Sequence, residues 1–423
     1  MLDRRELLQA GAALVGSATL GAARPGSAAT ASNRRVVVVG AGVFGSFTAL
    51  ALRDRGVAVT LLDPWGPGNA RASSGGETRV IRGAYGADAT YTDLAVDAFA
   101  RWSAFEKRVG KTFLTPTGAL WMVAVEDDSF LRQAAPLLRA AGLPFSEFTA
   151  EEAAKRWPQV RFDGVRWVLH EERAGYLLAR RATAAAAAAV VAAGGEYRAL
   201  AVETGADREG LDLTTPADRA LSSLRLSDGS TITADEFVFA CGPWLPRLFP
   251  TALGAHLTPT RQDVLFFGTP RGDRRFEPVS EGGSMPVWIE WGERLMYGIP
   301  GNESRGFKIA DDTRGEPFDP TDGDRRVLPE SIERARALLQ RRFPALAKAP
   351  IVETRVCQYE NTTDHDFLLD RHPHWDNVWM VGGGSGHGFK FGPAWGERAA
   401  ATIRGERPID AKFSLARFRK VSR

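Results

Sequence analysis

Cysteine is almost missing from this chain: two stand among 423 residues. That count excludes a disulfide scaffold as the source of stability. An excess of one charge is missing too. Lysine and arginine number 54 against 51 acidic residues, a net +3, and no basic run carries interleaved aromatics. Nucleic acid is therefore not an expected partner. No repeat of fixed period runs through the chain, which excludes solenoids and propellers. No close histidine or cysteine spacing fits a known metal site, so no metal is expected. The mildly apolar run near the start is short and rich in Gly and Ala, a poor membrane span. What remains is ordinary: 44% hydrophobic and 25% charged residues, typical of a globular protein. The length exceeds what one hydrophobic core usually serves, so two domains, consecutive or interleaved, are expected.

The chain is organised around Arg35-Val36-Val37-Val38-Val39-Gly40-Ala41-Gly42-Val43-Phe44-Gly45. Four valines in a row read as a central parallel strand buried on both faces. The strand then breaks into Gly-x-Gly-x-x-Gly. Gly40 permits the tight turn, Gly42 lets backbone approach a pyrophosphate, and Gly45 lets the following helix pack close to the strand. That helix is expected over 46–55, with Gly56 behind it as a cap. A second strand over 57–62 ends in Asp63. An acid about 20 positions past the glycines is placed to hydrogen-bond a ribose hydroxyl. The order of strand, glycines, helix, strand and acid points to a dinucleotide site. It does not separate FAD from NAD.

Residues 1–31 read as a targeting segment. Arg4 and Arg5 precede a small-residue, weakly apolar run, and Ala29-Thr30-Ala31 fits a cleavage site. Paired arginines in that setting suggest twin-arginine export, although Asp3 and Leu7 depart from the usual residues. After Asp63, a Gly-, Pro- and Ser-rich loop leads to Arg79 and Arg82. Loops at this edge of a parallel sheet hold ligands, so the two arginines either face a ligand or sit on the surface. Helices are expected over 92–108, 128–141, 179–193 and 329–342, the third almost pure alanine. Thr149 and Glu152 form a capping box, and Asp228-Gly229 marks a hairpin. Strands are expected over 117–125 and 197–202. Residues 258–298 read as long, aromatic-rich strands of a separate antiparallel sheet.

Near the end, a strand containing Val378-Trp379-Met380-Val381 meets Gly382-Gly383-Gly384-Ser385-Gly386-His387-Gly388-Phe389-Lys390, and a helix follows from about residue 393. A chain that opens and closes with such units can wrap one long cofactor between them. His365, His387 and Lys390 carry structural readings beside functional ones.

Five stretches in this order resemble the monomeric sarcosine oxidase and N-methyltryptophan oxidase family, within the D-amino-acid-oxidase-like flavoproteins. They are the first glycine motif, Gly76-Glu77-Thr78-Arg79-Val80-Ile81-Arg82, Ala240-Cys241-Gly242-Pro243-Trp244, Cys357-Gln358-Tyr359, and 384–390. The resemblance covers nearly everything from about residue 34 onward. It implies FAD as cofactor, bound covalently through a thioether at Cys357, with Gly40, Gly42, Gly45, Asp63, Arg79, Gly384, Gly386 and Lys390 among the cofactor-binding residues. It implies Lys308 as the residue that activates oxygen and Tyr297 and Tyr359 as pocket tyrosines. It also implies Arg82 with Lys390 as the clamp on a substrate carboxylate. Cys241 more simply packs. Two departures stand out. Where sarcosine oxidases carry a histidine shortly after the lysine, this chain has Asp312. Where they carry histidines ahead of the Gly-x-Thr-Arg stretch, it has Ser74 and Gly75. Both put sarcosine itself in question and leave a cationic or bulkier amine open, with Trp288 and Trp291 read either as walls for it or, for at least one of them, as core packing.

The fold implied is α/β, α+β overall: a Rossmann-like FAD-binding domain (32–118, 174–252 and 360–423) interleaved with an antiparallel-sheet substrate domain (119–173 and 253–359). The function implied is oxidation of the C–N bond of a secondary amine or amino acid, giving imine and hydrogen peroxide. The partners are then a small amine or amino acid and molecular oxygen, and the enzyme is expected to be a monomer, exported to the periplasm or beyond. The alternatives are a dehydrogenase that passes electrons to a carrier, and a flavin-binding protein without turnover.

Overall fold

The four valines do form a strand, Arg35–Val39, and its last four residues are buried. A computed structural model describes residues 34–203 and 220–420, and the expected export segment lies outside them. Arg35–Val39 pairs in parallel with Glu236–Phe239 on one side and Ala58–Leu62 on the other. The six-stranded sheet is completed by Trp375–Gly382 beyond Glu236–Phe239, Glu196–Arg198 beyond Ala58–Leu62, and an antiparallel edge, Leu368–His372. Glu196–Arg198 is shorter than the strand expected over 197–202.

Helix Val43–Asp54 follows the glycine turn and packs on Ala179–Ala192 and Gly392–Ile403. The alanine helix buries Ala179, Ala182, Ala186, Ala187 and Ala189, a small-residue face that lets helices approach closely. The first turn is as tight as its glycines require. Gly40 has φ 102°, and a Cβ there would lie 2.4 Å from the carbonyl oxygen of Ala240. A Cβ on Gly45 would lie 1.9 Å from the carbonyl oxygen of Gly40.

A second sheet has eight strands in the order Ile351–Thr362, Leu257–Phe267, Phe307–Asp311, Leu295–Ile299, Val287–Trp291, Ala119–Val123, Trp167–Glu171 and Phe145–Phe148. Its pairs are antiparallel except Val287–Trp291 with Ala119–Val123. Helix Pro329–Arg342 covers one face with Leu338 and Leu339, over a core that includes Trp288, Phe307, Ile309 and Phe343. Alternation sets the other face. Along Phe307–Asp311, Phe307 and Ile309 enter that core, while Ala310 packs from the opposite side with Val264 and Phe266. Lys308 shares the second side, where its Nζ donates to the carbonyl of Thr78.

A three-stranded patch, Thr78–Ile81, Gly175–Leu178 and Leu114–Thr115, lies in the segments that run between the sheets. In chain order the backbone visits the first sheet at residues 35–62 and the second at 119–171. It returns to the first at 196–239, enters the second at 257–362, and ends in the first at 368–382. Among the described residues no helix is long and apolar enough to cross a membrane.

Candidate active site

The first glycine turn opens a long cavity. Gly40, Gly42 and Phe44 line it with Asp63, Trp65 and Ser74, and Gly384, Gly386 and Phe389 of the second glycine loop stand across from them. It holds about 1260 Å³ of empty space, including its mouth. A Cβ on Gly42 would meet only Ser74 Oγ, at 3.6 Å, so this turn presents bare backbone to the space. Asp63 is at the wall, but its carboxylate already accepts from the N–H groups of Ala41 and Trp65, each at 2.9 Å. A ribose hydroxyl would share an acid that also holds the turn together. The helix N-terminus is occupied in part as well: the N–H of Val43 donates to Ser74 Oγ at 3.0 Å.

Cys241 packs at the end of strand Glu236–Phe239, its thiol donating to the carbonyl of Val39 at 3.4 Å. Both cysteines are free thiols. Glu360 reaches the same cavity from Ile351–Thr362. It is 6% exposed, and its Oε1 is buried without a hydrogen-bond partner. Burial raises its carboxyl from the ordinary 4.5 to about 7.

At its inner end the cavity meets a smaller pocket of about 530 Å³. Arg79, Tyr359, Gly386 and Phe389 line both. Arg79 donates to the carbonyl of Ser73 at 2.6 Å and to Cys357 Sγ at 3.2 Å. Cys357 is half-buried on Ile351–Thr362, opposite Gln262.

Lys308 Nζ donates to the carbonyl of Thr78 at 3.0 Å and lies 5.3 Å from the centre of the Tyr297 ring. Burial, then the charge of Arg79, pushes its ammonium from 10.5 down to about 7. The Tyr359 hydroxyl donates to Asp312 Oδ1. Burial raises the Asp312 carboxyl above its ordinary value, opposed by that hydrogen bond and by the charges of Arg82 and Lys390.

Arg82 and Lys390 line the same pocket. The Arg82 guanidinium lies 4.5 Å from the Tyr85 ring centre and 5.0 Å from that of Trp121, and it donates to the carbonyl of Ala84. Lys390 Nζ donates to Tyr85 Oη and to the carbonyl of His387, both at 2.8 Å. Burial, then Arg82, holds it well below the ordinary lysine range. Glu171 fixes the loop behind Arg82 by accepting from the N–H groups of Gly83 (2.6 Å) and Ala84 (3.2 Å), and from Trp121 Nε1 (2.8 Å). Val80, Trp121, Ile289 and Leu295 give the pocket an apolar wall, and His387 lines it as well.

The expected residues Arg79, Arg82, Tyr297, Tyr359 and Lys390 thus gather around one pocket, with Lys308 and Cys357 beside it. Trp288 is a correction. It is fully buried in the core behind the sheet, against Phe307 and Phe343, and it is no pocket wall. Trp291 stacks on Phe130 with ring centres 4.6 Å apart. Trp121, Tyr85, Glu171 and Glu360 were not foreseen. Trp121 and Glu171 lie on strands in ordinary apolar contexts, and only the sheet pairing brings them to Arg82. Among the described residues no cluster suits a metal ion.

Residues 35–402 match the family model described as DAO, FAD dependent oxidoreductase. The chain belongs to this family. FAD is the family's cofactor, and the cavity suits it: bare glycine backbone at a helix N-terminus, apolar walls, and an unpartnered buried oxygen. This DAO-family chain is 29% identical to the monomeric sarcosine oxidase of Bacillus sp. (strain B-0618), covering 90% of this chain and 95% of that protein. It is 27% identical to the N-methyl-L-tryptophan oxidase of Yersinia pestis (strain Pestoides F), covering 91% and 99%. Among solved folds it resembles the L-proline dehydrogenase from P. horikoshii, with a TM-score of 0.76 and 19% identity over 92% of this chain and 98% of that one. It also resembles the fructosamine oxidase from Aspergillus fumigatus (Amadoriase II), with a TM-score of 0.74 and 24% identity over 90% and 89%. The chain is an FAD-dependent oxidoreductase with the DAO fold.

Proposed function

We propose that the chain is an oxidase of the C–N bond of a secondary amine or amino acid, releasing an imine and, from oxygen, hydrogen peroxide. The observation that carries this reading is the pairing of Arg82 and Lys390 in a small pocket that opens onto the cofactor cavity. A planar guanidinium beside an ammonium suits a carboxylate. FAD, when bound, would supply the two-electron acceptor for a hydride from the carbon beside nitrogen, with oxygen as the final acceptor.

The chain's own residues position and polarise. Arg82 and Lys390 hold the substrate carboxylate, and Trp121, Ile289 and Leu295 exclude water around its side chain. Lys308 supplies positive charge where reduced oxygen species form. Cys357, in contact with Arg79 beside the pocket, is the proposed point of covalent attachment. Curated relatives that act on sarcosine or N-methyl-L-tryptophan by name support an N-alkyl amino acid as substrate. We further propose that the enzyme acts as a monomer and that residues 1–31 direct its export.

The test is an amine panel under air with peroxide detection, together with acid precipitation of the purified protein. Peroxide from an N-methyl or cyclic amino acid, with the yellow colour kept in the pellet, is expected. Bleaching of the flavin without peroxide would replace the oxidase reading with transfer to an electron carrier. Colour left in the supernatant would remove Cys357 as the attachment point.

A further inference from the structure

We infer that Asp312 receives the protonated nitrogen of the substrate and takes its proton, so that the substrate is an amino-acid zwitterion with an uncharged side chain. This rests on reading the pocket as an amino-acid site.

The pocket has an unbalanced polar half. Arg82 and Lys390 supply positive charge, and Lys308 adds more from beside Tyr297. Asp312 is the one carboxylate lining the pocket. Glu171 lies behind Arg82, with its oxygens taken by Gly83, Ala84 and Trp121. Asp312 is not used that way. Its carboxylate accepts a single hydrogen bond among the described residues, from Tyr359 Oη to Oδ1. Oδ2 accepts no hydrogen bond among the described residues, and Asp312 lines the pocket.

Asp312 is half-buried, and an acceptor-only carboxylate in so enclosed a pocket gains from a donor that enters it. A substrate carboxylate on Arg82 and Lys390 brings no donor. An ammonium on the adjacent carbon does, and a short, rigid amino acid can reach both ends at once. The apolar wall of Val80, Ile289 and Leu295 offers no counter-charge to a cationic side chain.

The groups that face Asp312 set its readiness to accept a proton. Arg82, Lys390, Lys308 and His365 favour the ionised form when charged. Tyr297, Tyr359 and Tyr85 surround it as neutral phenols, and Asp311 lies next to it in the chain. Burial works against ionisation, which raises the affinity for a proton toward what a general base needs. The step is a plain proton transfer. The N–H bond of the ammonium breaks, its electron pair stays on nitrogen, and an O–H bond forms at Asp312 Oδ2. The amine is then neutral, the form from which hydride can leave the neighbouring carbon.

The experiment compares the holoenzyme with Asp312→Asn, which keeps shape and removes charge. Anaerobic flavin reduction is followed by stopped flow across pH, using whichever of L-proline, sarcosine and N-methyl-L-tryptophan reduces the wild type. Binding of tetrahydrofuran-2-carboxylate, a ring carboxylate without nitrogen, is titrated through the flavin spectrum. In the variant, the limiting reduction rate at about pH 7 should fall roughly 100-fold and climb with hydroxide concentration. Its affinity for the furan carboxylate should stay within about threefold of wild type, since the arginine–carboxylate contact is kept. An unchanged rate and pH profile, or equal loss of both ligands, would overturn the role of Asp312. Wild type that neither binds the carboxylate nor is reduced by any of the three amino acids would overturn the amino-acid reading itself.

Discussion

Lys308 is a cation that the protein makes easy to discharge. It is 2% exposed, and among the described residues its one hydrogen-bond acceptor is the carbonyl of Thr78. If it serves the oxygen reaction, Lys308→Met should slow flavin reoxidation by about 100-fold or more, the size of effect found when one stabilising group is removed, and leave anaerobic reduction nearly intact. Rapid mixing of reduced enzyme with oxygen measures this, and equal loss in both half-reactions would sink the assignment. The sign of the pH effect follows. The ammonium is lost above about 7, so reoxidation should slow as pH rises through that value, while reduction by the amine should quicken. Turnover that stays flat from about pH 6 to 9 would count against both statements, because each half-reaction depends on the charge of one group. Lys308 and Tyr297 were legible only through the family resemblance, which also decided between the ligand and surface readings that their loops left open for Arg82 and Lys390. Nothing local marks the first two, since a lysine inside an apolar strand also reads as an edge residue. Glu171 and Trp121 were not legible, because their chemistry comes from partners distant in sequence.

The glycine turn and its flanking elements could be read from the chain itself. Val36 to Val39 form a buried strand, Thr149 and Glu152 close a capping box, and Asp228-Gly229 turns a hairpin between Ser223–Arg225 and Thr231–Thr233. These signals are short-range, and short-range physics decides them. The eight-strand order was not readable, since it depends on which apolar face finds which. Trp288 shows why: an aromatic on a strand names neither the pocket side nor the core side until the partners are known. The tight crossing at Gly45 gives a prediction of its own. Gly45→Ala puts a methyl against the carbonyl of Gly40. It should cost about 1–3 kcal/mol, as overpacking generally does, and weaken FAD retention. Thermal unfolding with flavin fluorescence measures both. An unchanged midpoint with full flavin content would show that the helix shifts freely.

The proposed export makes a prediction about the molecule in its cell. Changing Arg4 and Arg5 together to lysine should leave the flavoprotein inside the cell, still yellow and active. Fractionation followed by flavin fluorescence checks it, and unchanged secretion would remove the twin-arginine route. Twin-arginine transport carries finished molecules, which suits a chain whose two sheets are woven together. The backbone crosses between them repeatedly, from residues 35–62 through 119–171, 196–239 and 257–362 to 368–382. A gene for this protein therefore has no midpoint. Any single cut between residues 124 and 350 gives two fragments that each hold pieces of both sheets, and neither sheet can be produced, exchanged with a relative or tagged as a separate module from one continuous stretch of coding sequence.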